Sequence, residues 1–370
     1  MIWLTTALAG PATVEHTPGD GFTLTSDDGR FALTFRSRLQ LLETVARTGD
    51  APFEQGLTLR RARFDVSGHG FGEAHRWRMQ LGFSDSDIGN TEDGPRGNPL
   101  LDAYWHFSPR GPLHVRLGQY KVPLTRSRIA STATLQLVDR PELDGEFGLD
   151  RDRGVTAVLS AGGASGPQVR SYFGVFEGNG RIASPFQDLG LLLVGRLEVQ
   201  PLGPFDYYAD GDLERSEDLR LGFGGGVASV SRAPLSKGIT GPPFEDGRPT
   251  DMTLWTADLV VRWHGVSLEV TGGGRTGIRR APAGAEPPRN GAGITGQLGV
   301  MVPKIPVGVA VRHTHIDPTG ASSLLRVRET LGAVSWFLHG HPYDLTADFG
   351  RIEIGGEETL RGRLQLELAL

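Results

Sequence analysis

The stretch "FALTFRSRLQL" (Phe31–Leu41) puts Phe31, Leu33, Phe35, Leu39 and Leu41 on one face of an extended chain and Thr34, Arg36, Arg38 and Gln40 on the other. A period of two with apolar residues on one side only marks a half-buried antiparallel strand. The pattern recurs in "HRWRMQLGF" (His75–Phe83), where Trp77, Met79 and Leu81 oppose Arg76, Arg78 and Gln80. It returns in "LRGRLQLELAL" (Leu360–Leu370), where Leu364, Leu366 and Leu368 oppose Arg361, Arg363, Gln365 and Glu367. Beyond residue 30 no segment carries a sustained helical period.

Extended to the whole chain, this reading predicts sixteen strands: 30–43, 54–69, 73–84, 100–108, 112–120, 151–161, 167–176, 189–200, 219–230, 252–263, 266–275, 291–302, 306–316, 324–338, 342–353 and 359–370. Most are ten residues or longer. Strands in globular proteins average about 5–6 residues, whereas a tilted membrane-spanning strand needs about 9–11. The connections alternate in length. Turns at 70–72, 109–111, 162–166, 264–265, 303–305 and 339–341 are tight and rich in Gly and Pro, and loops at 85–99, 121–150, 231–251 and 276–290 are long and polar. Segment 201–218 breaks the rule, and reads either as an extended periplasmic connection or as a miscounted pair of short strands. Tight turns at one rim and long loops at the other predict an all-β fold, a single transmembrane antiparallel β-barrel of sixteen strands. A propeller would repeat every 40–50 residues or so, and no such repeat is present.

Composition narrows the function. The 370 residues carry a formal net charge of −5, so no global basic field points to nucleic acid. There is no cysteine, hence no disulfide or thiol chemistry. Nothing approaches the roughly 18 apolar residues in a row of a membrane helix. The 53 glycines are scattered, as many strands and tight turns require. Residues 1–12, "MIWLTTALAGPA", resemble the back half of a secretory signal peptide without its basic start. Residues 13–29 are assigned to an N-terminal periplasmic segment and 30–370 to the barrel.

With the apolar face of every strand turned toward lipid, seventeen arginines point inward and only nine acids, including Asp65, Asp102, Glu198, Asp258, Asp348 and Glu367. The candidate pore-lining and anion-binding residues are Arg36, Arg38, Arg61, Arg63, Arg76, Arg78, Arg116, Arg312, Arg326, Arg328, Arg361 and Arg363 on strands, with Lys121, Arg126 and Arg128 at the start of the longest loop. Arginine rings favour anions because a low-dielectric wall focuses their field on the permeating ion. The long loop, 121–150, is expected to fold inward as the third extracellular loop. There its Asp139, Glu142, Asp144 and Glu146 would face the arginine wall and set up a transverse field.

The motifs "LRRARFDVSG", "DAYWHF", "LHVRLGQYKVPL", "LVDRPEL", "DRDRGV" and "HGHPYDLTADFG" follow one another in an order that resembles the phosphate-selective porin O and P family. The resemblance implies a sixteen-stranded outer-membrane barrel that forms a homotrimer and passes anions through an arginine-lined channel. Lys121 matches the basic residue of the family's "GQ-aromatic-K-V-P" motif. Two departures stand out. The chain has only Lys121, Lys237 and Lys304, too few for the family's central lysine cluster, and it ends in Leu370 where such barrels usually end in an aromatic residue.

Other sites are weak. His313, His315 and Asp317 in "RHTHID" are spaced for a metal, but a pair of histidines near a strand end is more often a rim feature. No Ser–His–Asp set or carboxylate pair suggests an enzyme, and no cofactor is implied. The sequence therefore predicts passive diffusion of small anions, phosphate-like or general, across the bacterial outer membrane, with outer-membrane lipid as surroundings. A weakly selective porin or a largely closed structural barrel is the alternative. An outer-membrane enzyme or adhesin is the more distant one.

Overall fold

The computed structural model describes residues 13–88, 90–91, 94–95, 98–181, 190–279, 281–282 and 284–370. The signal-peptide reading of residues 1–12 falls outside them. Sixteen long strands alternate up and down: β1 (Ala32–Thr48), β2 (Glu54–His69), β3 (His75–Gly82), β4 (Leu100–Phe107), β5 (Leu113–Lys121), β6 (Arg151–Gly162), β7 (Gln168–Phe176), β8 (Leu191–Gln200), β9 (Arg220–Ala233), β10 (Thr250–Trp263), β11 (Val266–Arg279), β12 (Gly291–Met301), β13 (Val307–Pro318), β14 (Val327–Phe337), β15 (Tyr343–Ile354) and β16 (Glu357–Ala369). They match the expected sixteen one for one. Each pairs antiparallel with the next, and β16 returns to β1, from Thr359 opposite Thr48 to Ala369 opposite Arg38. Closure gives every strand two partners, which is what permits a sheet to sit in hydrocarbon.

The outer face is apolar. Phe64, Phe173, Phe223, Trp255, Val311 and Phe349 are exposed on it. Trp105, Trp263, Trp336 and Tyr343 all stand near strand ends on the short-turn side, also exposed. Aromatic rings at that level form the girdle of an interfacial region.

Residues expected as a periplasmic segment contribute a hairpin, Thr13–Thr17 with Gly21–Thr25. Its second strand pairs with the start of β1, Phe22 opposite Phe35 to Thr25 opposite Ala32. β16 ends just beside it, with Ser37 and Leu370 exchanging backbone hydrogen bonds of 3.0 and 2.9 Å. Thus β1, longer than its C-terminal neighbour, has the remainder of its edge covered by the hairpin.

The inner face is divided. On β8–β15 its residues alternate with the lipid-facing ones as almost uniformly buried positions, among them Leu192, Val230, Leu254, Ile316 and Leu331. On β1–β5 most inner positions are only half-buried. The buried positions pack on loop 122–150. Leu143 and Phe147 of the loop meet Ile316 and Val327, and Leu137 meets Ala310, Leu331 and Ala333. Half of the barrel therefore has a core like that of a soluble protein.

Candidate functional site

Loop 122–150 is bound to the inner wall by residues of several strands. Ser335 Oγ donates to the Gln136 carbonyl (3.0 Å), Arg312 Nη1 to the Asp139 carbonyl (2.8 Å) and Arg275 Nη1 to the Glu146 carbonyl (2.9 Å), while Val138 N donates to Asp348 Oδ2 (3.3 Å). Within the loop, Thr125 caps the helical turn Arg126–Ile129 by accepting from Arg128 N, and Lys121 Nζ donates to the carbonyls of Ala130 (2.8 Å) and Ile129. A cap at one end and a lysine at the other satisfy the backbone groups that so short a turn leaves open. At Gly293 of β12 the wall lacks a side chain where the loop comes close: a Cβ there would lie 2.9 Å from Leu143 Cδ1.

The connection 201–219 enters from the opposite rim. It is an extended connection, as one of the two sequence readings had it, and its middle is buried inside the barrel: Tyr207, Ala209, Asp210 and Asp212 are all below a tenth exposed. Tyr207 lies against the inner face of β9, where a Cβ on Gly222 would stand 2.6 Å from its ring. Arg126 joins the two segments. Its guanidinium donates to the Tyr207 and Ala209 carbonyls (2.7 Å each) and pairs with Asp210 (3.3 Å) and, from β11, Glu269 (3.5 Å). Arg126 is thus a clamp buried away from open space.

The space left over runs along the other half. A cavity of about 150 Å³ toward the long loops is lined by Arg60, Arg61, Arg63, Lys121, Arg128, Arg140, Arg151 and Arg181, with Asp87 and Asp150. Sharing Arg63, Lys121, Thr132 and Arg151 with it is a middle cavity of about 420 Å³, which adds Arg36, Arg38, Arg78, Arg116 and Arg170, with Asp65 and Asp102. A third, of about 260 Å³ toward the short turns, shares Arg170 and Tyr208 with the middle one and includes Glu198 and Asp206. Along the three, thirteen cationic side chains face six acids among the described residues.

Many of these cations are paired: Arg63 with Asp87, Arg151 with Asp102 (2.8 Å), Arg78 with Asp65 (2.6 Å), Arg38 with Glu367. Arg36 stands farther from its acid, 3.8 Å from Asp65. Among the described residues, Lys121, Arg116 and Arg170 have no carboxylate within 4 Å, although all three line the middle cavity. Arg116 lies instead over the rings of Tyr104 (4.7 Å) and Tyr120 (5.2 Å).

Several expected pore residues lie elsewhere. Arg328 faces outward: Glu329, one residue on, is the buried member of that strand and pairs with Arg312 at 2.7 Å, while Arg328 stands 3.7 Å from Glu353 on the outer surface. Arg326 precedes β14 and pairs with Asp317, half-exposed, at the loop rim. β14 turns Leu331, Ala333 and Phe337 inward against the core together with Glu329 and Ser335, which puts Arg328 on the outer face, while Arg326 lies before the strand begins. Arg76 is exposed at the short-turn rim beside Glu73. Arg312, Arg361 and Arg363 do face inward, but none lines these cavities. Arg312 and Arg363 hold the loop, and the buried Nε of Arg361 has no hydrogen-bond partner. His315, of the histidine pair read mainly as a rim feature, is bonded to Asp317 at 2.6 Å.

Of the expected loop acids, Asp139, Asp144 and Glu146 are engaged in ion pairs. Asp139 takes Arg60 (3.0 Å), Arg363 (2.8 Å) and Arg61 (3.7 Å). Burial pushes its carboxyl up, but Arg60, Arg363 and Arg61 outweigh burial and hold its pKa at about 2, below the ordinary 3.8. Glu146 takes Arg289 (2.9 Å), Lys237 (3.1 Å) and Arg275. The expected transverse field is replaced by a line of anchors.

Sequence alternation missed Arg60, which should point outward. A bulge where Gln40 pairs with Arg61 but Leu41 with Leu59 puts Arg60 and Arg61 on one side. Such an extra residue re-aims its neighbours. It also missed the inward tyrosines, though Tyr104 and Tyr120 lie in phase with Asp102 and Arg116.

Residues 33–181 match the model of the family described as phosphate-selective porin O and P. Across that stretch, less than half of its length, the chain is similar to the porin O and P family. The matched residues hold β2–β7, most of β1 and all of loop 122–150, which together supply most of the lining of the cationic cavities. The barrel is similar to the anion-selective porin from Comamonas acidovorans (12% identity, 92% of this chain and 100% of that one, TM-score 0.61). It is also similar to the outer membrane channel DcaP of Acinetobacter baumannii (10%, 95% and 100%, 0.58) and to in-vitro folded OmpT of Vibrio cholerae in its trimer form (11%, 91% and 99%, 0.57). At such identities these likenesses speak for fold alone. A comparison with curated protein sequences finds no match. The closed barrel, with this family match over part of its length, resides in the bacterial outer membrane.

Proposed function

We propose that the chain is a passive, anion-preferring diffusion channel whose path follows the cationic cavities beside β1–β7. The observation that carries this reading is the excess of thirteen cations over six acids along that path, in a chain of net charge −5. Lys121, Arg116 and Arg170 serve as successive weak sites, since no carboxylate neutralises them. An anion entering between wall and loop sheds part of its hydration to these donors and leaves because none is deep. Small anions are the permeants, phosphate among them, but no lysine cluster for phosphate is supported.

Reversal potentials of the protein in planar bilayers under a potassium chloride gradient test this directly: chloride over potassium is expected. Glutamate at Arg78, Arg116 and Lys121 together should reverse the sign. Potassium preference in the unaltered protein would end the anion reading. The packed half of the bore favours one second reading, a largely closed barrel, for which conductance would be near zero. A homotrimer is the expected assembly, supported by the family resemblance and by the trimer form of the Vibrio protein. The mass of the detergent-solubilised protein reads it.

A further inference from the structure

We infer that the middle cavity takes organic anions carrying an aromatic ring, with benzoate-type carboxylates held better than inorganic phosphate. This rests on the anion reading above and narrows it. The cavity has two unlike walls. Arg36, Arg38, Arg63 and Arg78 of β1–β3 form one. Tyr104, Tyr120 and Tyr172 of β4, β5 and β7, with Tyr208 from connection 201–219, gather on the other, beside Lys121, Arg151 and Arg170. The chain has 6 tyrosines, and four of them meet at this single place. Chance placement of lipid-girdle residues would put them on the outer face instead.

Arg116 joins the walls. Its guanidinium carbon lies over the rings of Tyr104 and Tyr120, at 4.7 and 5.2 Å, the two rings standing at 75° to each other, and its buried Nε has no hydrogen-bond partner. Two rings against a guanidinium hold it in place, and with no carboxylate of the chain on it, its Nη donors remain for a carboxylate ligand. A bare phosphate uses the arginines and leaves the tyrosine wall without a partner. An arenecarboxylate uses both, its charged end on Arg116 and its ring against Tyr172 and Tyr208. The volume, about 420 Å³, lies within the roughly 300–1,000 Å³ typical of sites for small organic molecules.

The test is block of chloride current through single barrels in planar bilayers, with benzoate, cyclohexanecarboxylate, acetate or inorganic phosphate added. Benzoate is expected to half-block at a concentration about 3- to 10-fold below each of the others, the yield of one or two favourable ring contacts. Replacing Tyr172→Leu and Tyr208→Leu together should raise benzoate's half-blocking concentration by a similar factor and leave acetate's unchanged. Cyclohexanecarboxylate equal to benzoate would overturn the role of the rings, and phosphate as the best blocker would overturn the inference outright. Both results come from the unaltered protein, so they stand even if the double variant fails to insert. A reversal potential favouring potassium would instead sink the anion reading beneath it.

Discussion

The two halves of this barrel use the same strand geometry for opposite ends. Along β8–β15 the inner wall carries Leu, Val, Ala and Gly, and its arginines are locked to carboxylates and loop carbonyls, as Arg312 is to Glu329 and to the Asp139 carbonyl. Along β1–β7 the inner wall carries Arg and Tyr and stays half-open. Charge inside a barrel is therefore no proof of a channel wall. An inward arginine buried with its acid is a structural rivet, and breaking one leaves a buried charge unpaired, at a cost of about 3–5 kcal/mol. An inward arginine without an acid is available to a permeant.

That contrast can be broken at its hinge. Arg126 serves two carbonyls and two carboxylates where loop 122–150 meets connection 201–219. Arg126→Ala should loosen both segments at once, with a loss of about 3–5 kcal/mol in their docking, and single-channel conductance should rise several-fold. Unchanged conductance would mean that the packing, and not the clamp, keeps the half closed.

A smaller effect sharpens it. Arg116→Gln should lower the chloride-to-potassium permeability ratio roughly two- to fivefold, the effect of about 0.4–1 kcal/mol on a passing ion. Arg312→Gln should leave that ratio in place and lower the thermal unfolding temperature instead. Equal effects on selectivity would erase the distinction between the halves.

The least effect concerns acid. The Asp139 carboxyl has its pKa depressed from 3.8 to about 2. Its contribution to anchoring the loop is full above about pH 4 and is lost as pH falls through about 2. Conductance recorded between pH 8 and pH 4 should show no loop-opening events traceable to it. Openings that appear near pH 6 and vanish in Asp139→Asn would contradict the pairing.

Sequence alone carried the strands, because alternation in segments such as Phe31–Leu41 and Leu360–Leu370 is enforced by water or core on one side and lipid on the other. It carried the orientation of the rims through the difference between "HG" and the 29 residues after Lys121. It did not show which half stays open. That depends on where a loop lies, and alternating small and apolar residues such as Gly222, Gly224, Gly226, Ala228 and Val230 look the same whether they meet a loop or lipid. Arg328 was misread for that reason: in β14 both faces carry apolar residues, and only the burial of Glu329 reveals the phase. Tyr207 and Tyr208 were hidden in a segment without any period.

The N-terminal hairpin has a consequence for assembly. Where β16 stops at Leu370, residues 32–35 of β1 would otherwise present a short row of unpaired amides and carbonyls at the membrane's inner border. Thr13–Thr25 takes that position within the same molecule. A chain stripped of it offers an adhesive seam, open to the terminal strand of whichever sibling arrives next, and the product would be stitched dimers in place of self-contained cylinders.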